Sequence, residues 1–318
     1  MEIFFTTLEQ MGYLFLLIII GFVLAKLKAI PDNTSTVLAK LENNLFIPAL
    51  VLGTFIKDFT VDKISSYLPS LAVSLVITAV MIPVAFALSK LCSKDAYIRN
   101  YYVYGFTFSN FGFMGNAVVE AVYPEIFAEY IVYCLPMWAF IYMWGVPSLL
   151  IPSEGEKKTV AARLKSFVNP MFVSIFAGMI LGIVFGQFSL KLPDFAGKVI
   201  NVCGSCMSPV AMILTGITVA KIDFKKTFSD IGIYLASFLR LAVLPVITIF
   251  AFLALRFIPD TAVTCAVCAM SMPLGLNTIV VPSAYGKDTS VSTGMALVSH
   301  TLSCVSIPLV FLLMEKIL

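Results

Sequence analysis

Asn116 and Asn277 are the residues of this sequence whose surroundings most suggest chemistry. They stand 161 positions apart (277 − 116), each in a stretch rich in helix breakers: GFTFSNFGFMGNAVVE at 105–120 and SMPLGLNTIVVPSAYG at 271–286. Asparagine supplies two N–H donors and an acceptor. Proline removes an amide donor and clashes with the carbonyl one turn back, and glycine tolerates unusual dihedrals. A helix that restarts after such a break presents unpaired N–H groups and about half a positive elementary charge. That is an anion site, suited to a carboxylate. The candidate binding residues are therefore Asn110, Gly115, Asn116, Gly275, Asn277 and Thr278, with Gly112, Pro273 and Pro282 as the residues that break or bend the chain.

Three further polar residues lie inside apolar runs. Arg240, in LASFLRLAVLP, either attracts an anion or ties down carbonyls freed by a broken helix; a permanently charged guanidinium suits both. Glu120, one turn after Asn116, and His300, the one histidine, are each either a carrier of a coupling proton or a structural residue. The C-x-x-C pairs Cys203/Cys206 and Cys265/Cys268 fall within apolar segments, where a thiolate metal site would bury charge and a neutral thiol packs as a small hydrophobe. No metal site is expected. Neither a Walker-type phosphate loop nor a nucleophile–base constellation occurs, so hydrolysis and intramembrane catalysis are not expected.

The elements that must position these groups are membrane helices. Apolar residues make up 60% of the chain and charged residues 12%, the mean hydropathy is +0.98, and about 20 apolar residues suffice to cross a bilayer. The sequence predicts an all-α polytopic membrane protein with ten spans, roughly 10–28, 36–56, 67–92, 98–122, 127–152, 168–188, 196–221, 230–255, 261–285 and 288–314. A net charge of +3 without a basic cluster excludes nucleic acid as a partner. The odd-numbered loops hold most Lys and Arg, including Lys26, Lys28, Lys90, Lys94, Lys157, Lys158, Arg163, Lys165, Lys225 and Lys226. By the positive-inside rule they are cytoplasmic and both termini face outward. Glu2 and Glu9 before the first span, with Lys26 and Lys28 after it, make that span a retained helix and not a secretory signal.

The offset between the two asparagines recurs. Pro48 and Pro209, and likewise Pro147 and Pro308, are separated by 161 residues, and Pro83 and Pro245 by 162. Each pair occupies matching spans of two five-span halves, which predicts a duplicated unit. Five is odd, so the second unit enters the membrane inverted, as in secondary transporters. The expected division is 1–152 for the first repeat, 153–167 for a cytoplasmic linker and 168–318 for the second, with broken helices in spans 4 and 9. Gly178, Gly182 and Gly186 form a small-residue strip for close helix packing, between subunits or within one. Asn43, Asn44, Ser205, Ser208 and Thr215 either face the interior cavity or bond backbone around Pro48 and Pro209.

With these residues assembled, the chain resembles the auxin efflux carrier family, which includes plant PIN-FORMED carriers and bacterial carboxylate permeases. The likeness runs along all ten spans and is carried by Asn169-Pro170, Pro209-x-Ala-Met-x-x-x-Gly216, Arg240-Leu-x-x-x-Pro245 and SAYGKDTSVSTGMALVSHTLSCVSIPL at 283–309. The resemblance implies a fold like that of bile-acid/sodium symporters, whose fourth and ninth helices unwind and cross beside the substrate. It also implies a scaffold of spans 1, 2, 6 and 7, a moving domain of spans 3–5 and 8–10, and a homodimer. The family's carboxylate-holding asparagine corresponds to Asn116 and its ninth-span crossover proline to Pro273. Gly112 stands where a fourth-span proline would be, and the long central loop of many plant members is missing, which favours a bacterial-type carrier over auxin transport.

The expected function is transport across the plasma membrane of a small carboxylate, such as malate, malonate or an auxin-like monocarboxylate, by alternating access. No cofactor is expected beyond a possible Na⁺ or H⁺ coupling ion. The competing readings are a non-transporting membrane ligand sensor and a sodium-coupled symporter of a larger amphipathic anion.

Overall fold

Several prolines mark where the helices of this protein change their winding. In the computed structural model residues 1–151, 168–221, 230–284, 287 and 289–317 are described, and these are helical with short connections. The expected linker at 153–167 lies outside the described residues, as do Lys225 and Lys226. In order the helices are α1 (Glu2–Lys26), α2 (Thr34–Leu41), α3 (Ile47–Asp58), α4 (Val61–Cys92), α5 (Ala96–Thr107), α6 (Asn116–Val122), α7 (Phe127–Phe140), α8 (Pro170–Phe188), α9 (Asp194–Ser205) and α10 (Met207–Val219). There follow α11 (Ile231–Phe238), α12 (Leu244–Ala254), α13 (Asp260–Ser271), α14 (Asn277–Ala284) and α15 (Ser290–Ile317).

Wider π-helical turns join several of these: Glu42–Phe46 before α3, Leu239–Val243 before α12, and Ile141–Leu150 after α7. The first two end just before Pro48 and Pro245, and the third contains Pro147. A proline has no N–H for the carbonyl four residues back, and its ring needs that space. Bonding five residues back relieves both constraints, as Ile47 N–H does to Glu42 O and Leu244 N–H to Leu239 O. Side chains take up neighbouring carbonyls: Asn43 Nδ2 donates to Ala39 O at 2.8 Å and Asn44 Nδ2 to Lys40 O at 2.7 Å. The repeat mates Pro83 and Pro308 instead lie inside uninterrupted α-helices.

Among the described residues, seven helices are long and apolar enough to cross a membrane: Glu2–Lys26, Val61–Cys92, Pro124–Leu150, Pro170–Phe188, Asp194–Val219, Ile231–Ala254 and Ser290–Ile317. The other three expected spans are divided. The second is split by the Glu42–Phe46 turn, the fourth between Thr107 and Phe111, and the ninth between Ser271 and Asn277. Large apolar side chains face outward along the long helices, including Leu16 and Ile19 on α1, Leu75 and Val76 on α4, and Val173, Phe176 and Ile180 on α8. Hydrocarbon, not water, is the solvent such faces suit.

α1 packs along α10 and against α15, while α3 packs against α8 and α9. α4 lies on α5 and α7, and α13 touches α4, α7 and α12. The glycine strip is spent within the chain. A Cβ on Gly178 would come within 2.9 Å of Phe55 Cβ, one on Gly182 would strike Phe55 O, and one on Gly186 would approach Thr60 Cγ2 at 3.0 Å. The strip therefore lets α8 close on α3.

Candidate functional site

The two interrupted segments meet. α5 ends at Thr107 and Phe108 turns extended (φ −119°, ψ 102°); α13 ends at Ser271 and Met272 does the same (φ −69°, ψ 148°). Ser109 and Leu274 form an isolated antiparallel bridge, with Asn110 N–H donating to Pro273 O at 2.8 Å. Ser109 Oγ also donates to Ala269 O at 2.7 Å. Each break thus satisfies part of the other's backbone, as groups buried away from water must be. Gly275 makes the approach possible, because a Cβ there would lie 2.6 Å from Phe108 O.

The breaks are not symmetric by the 161-residue offset. The second helix restarts at Asn277, but the first restarts at Phe111, with Asn110 at the N-cap position and Asn116 a turn further along. The physical reason lies in Pro273: it blocks helix at 272–276, whereas Gly112 leaves the matching residues free to be helical. Asn110 O accepts from Met114 and Gly115 N–H, while the N–H groups of the first turn, at Phe111, Gly112 and Phe113, have no intrahelical partner.

Both restarts line one small, partly open cavity of about 30 Å³, bounded by Asn43, Asn110, Gly112, Asn116, Gly275 and Asn277. Such a volume holds about a water. A wider cavity of about 260 Å³ lies beside it, lined by Gln10, Tyr13, Asn116, Glu120, Ser208 and Pro209. Asn116 borders both.

The sequence-predicted residues divide by their contacts. Asn277 Nδ2 donates to Tyr104 Oη at 3.0 Å. Thr278 Oγ1 donates to Gly275 O at 2.7 Å, so it closes its own turn. Asn110 Nδ2 lies 2.8 Å from His300 Nε2. The amide oxygens Asn110 Oδ1 and Asn116 Oδ1 are buried without a hydrogen-bond partner. Gly115 packs directly under Tyr130 Oη, which donates to Phe111 O at 3.0 Å. Pro282 is buried within α14.

Arg240 is 1% exposed. Its Nε donates to Met272 O at 3.0 Å, Nη1 to Phe106 O at 3.0 Å and Nη2 to Ala269 O at 3.2 Å, so one side chain clamps carbonyls from both broken segments. Glu120 is exposed and lines only the wider cavity. Of the polar residues near the aligned prolines, Ser205 and Thr215 bond carbonyls of their own helices, and Ser208 Oγ reaches across to Phe113 O at 3.0 Å.

Three groups escaped the sequence reading. Tyr104 and Tyr130, which hold Asn277 and the turn at Phe111, are ordinary aromatic residues in apolar runs and carry no local signal. Glu129 accepts from Ser70 Oγ and from Thr261 Oγ1, the latter at 3.0 Å, joining α4, α7 and α13. Glu42 is fully buried with neither carboxyl oxygen partnered. Its charge six residues before Pro48 was a readable signal.

Long apolar helices around an interior polar site with two unpartnered amide oxygens describe a multi-pass membrane protein. More narrowly, the family model described as membrane transport protein, that of the auxin efflux carriers, matches residues 6–311, and the chain belongs to that family. No curated protein matches the sequence significantly.

Proposed function

We propose that this protein is a secondary transporter that carries a small organic carboxylate across the plasma membrane by alternating access. The observation that carries the reading is the convergence of two helix starts, at Phe111 and Asn277, on one small cavity. The first-turn N–H groups at Phe111, Gly112 and Phe113, free of intrahelical partners, and the positive ends of both helices favour an anion there, although Thr278 and Ile279 N–H at the second restart bond Gly275 O and Leu276 O. Asn116 and Asn277 then hold the carboxylate. The position of Asn116 between the small cavity and the wider one supports a site reached from either side in turn.

In this reading the chain crosses the membrane ten times as two inverted repeats, 1–152 and 168–318, and the meeting at Ser109 and Leu274 is the crossover. Spans 1, 2, 6 and 7 form the scaffold and spans 3–5 and 8–10 the moving domain. The close packing of α1 on α10, of α3 on α8, and of α4 on α5 and α7 agrees with that grouping. Both termini face outward, so the wider cavity, near the end of α6, opens to the outside. The homodimer uses a face other than the glycine strip, which α3 occupies.

Uptake into proteoliposomes of a carboxylate panel, including malate, malonate and an auxin-like aromatic acid, tests the reading. Saturable uptake of at least one member supports it. Saturable binding without flux under Na⁺ or pH gradients would replace it with a ligand sensor.

A further inference from the structure

His300 is the one histidine of the chain, lies on α15 and is 1% exposed. Its Nδ1 stands 2.7 Å from Ala296 O and its Nε2 stands 2.8 Å from Asn110 Nδ2. A carbonyl oxygen only accepts, so Nδ1 carries the ring hydrogen. In the neutral ring Nε2 is then an acceptor, and the Asn110 amide must present its NH₂ group to it. The tautomer thereby fixes Asn110 Oδ1 on the other side, buried and unpartnered, in a residue that lines the cavity. Asn116, whose Oδ1 is likewise buried and unpartnered, lines the same cavity. With its oxygen as the group left free of the ring, Asn110 has the wrong polarity for a carboxylate.

A second proton on the ring reverses this. It adds to the Nε2 lone pair, breaks no bond, and leaves Nδ1–H on Ala296 O. Nε2–H now donates, so Asn110 must turn its amide over, placing Oδ1 on the ring and both Nδ2 hydrogens toward the cavity. We propose that His300 is a positioning residue whose protonation turns the Asn110 amide from acceptor to donor at the cavity, so that a carboxylate enters together with one proton. The inference rests on the carboxylate reading above. It assigns the proton as the coupling ion.

The surroundings leave the ring free to respond. Buried titratable groups on the elements packed against α15 are Arg240, Cys265 and Cys268. Glu9 and Tyr13 on α1, Tyr234 on α11 and Asp260 on α13 are exposed, and Cys304 lies one turn along α15. None of them bonds the ring, and Arg240 is committed to carbonyls of the crossing. An arriving anion is therefore the charge that favours the imidazolium, which links the two occupancies.

A single histidine makes the ring directly observable. Long-range ¹H–¹⁵N spectra of the intact protein in detergent should show the Nδ1–H tautomer without ligand and two protonated ring nitrogens with malate bound. The Nε2–H tautomer in the free protein, or a ring still neutral with malate bound, would overturn the coupling alone. Malate affinity should also tighten as pH falls, by up to about tenfold per unit for one linked proton. His300→Gln, which can still bond Asn110 but cannot gain a charge, should bind with only the ligand's own pH dependence. An unchanged slope in the variant would contradict the proposal. Failure of malate to bind wild type at any pH would instead bring down the carboxylate reading, and the coupling with it.

Discussion

Ser109 and Leu274, 165 residues apart (274 − 109), pair across an antiparallel bridge at the point where both broken segments leave the helical path. The pairing answers the difficulty that every interrupted membrane helix meets, since lipid cannot satisfy freed backbone groups. Here each break serves the other through Asn110 N–H on Pro273 O and Ser109 Oγ on Ala269 O. Arg240 takes up the carbonyls of Phe106 and Met272 and adds a further donor to Ala269 O.

Arg240 is accordingly a stability determinant whether or not its charge also draws the substrate. Arg240→Met removes the donor to the buried carbonyls of Phe106 and Met272, at about 1–3 kcal/mol for each group left unsatisfied, while Ala269 O keeps Ser109 Oγ. Arg240→Lys keeps the charge but lacks the planar fork that reaches three acceptors. Thermal unfolding in detergent should rank wild type above Arg240→Lys and Arg240→Met lowest. Equal midpoints for all three would show that the clamp contributes nothing.

Gly275 and Gly112 should respond oppositely to alanine. A Cβ on Gly275 meets Phe108 O at 2.6 Å, whereas on Gly112 the nearest atom is Trp138 Nε1 at 3.7 Å. Gly112→Ala lies within a helical turn and should be neutral or stabilising by up to about 1 kcal/mol. Gly275→Ala should force the breaks apart and abolish uptake. Thermal midpoints and initial uptake rates of the two variants check this directly, and equal behaviour would argue against the close approach.

Tyr104 is expected to act on substrate affinity through Asn277. Its hydroxyl accepts from Asn277 Nδ2 at 3.0 Å. Tyr104→Phe removes that acceptor without changing shape and costs about 1 kcal/mol, a typical net hydrogen bond. The KM for uptake should change about fivefold while the thermal midpoint stays within a few degrees. Unaltered kinetics would mean that Asn277 is held by other contacts.

Much of the fold was legible because hydropathy and breakers are local signals. The seven long apolar helices follow from apolar runs, and the interruption between Ser271 and Asn277 follows from Pro273 and Gly275. The interruption between Thr107 and Phe111 lies earlier than the sequence alone suggests because its position is a tertiary outcome. Without a proline at Gly112 the helix restarts at Phe111, with Asn110 at its N-cap position. The site was legible as residue types but not as pairs. Nothing local tells Asn110 that His300, 190 residues away, fixes its amide, or Arg240 that its acceptors lie at Phe106 and Met272.

The central claim is that the two restarts and their asparagines bind the transported carboxylate. Its most direct test is initial-rate uptake of radiolabelled malate by proteoliposomes of wild type, Asn116→Ala and Asn277→Ala, each at matched protein density and intact fold. Saturable wild-type uptake that falls at least tenfold in Asn116→Ala and clearly in Asn277→Ala is the predicted result. Saturable wild-type uptake left undiminished in both variants would contradict the site.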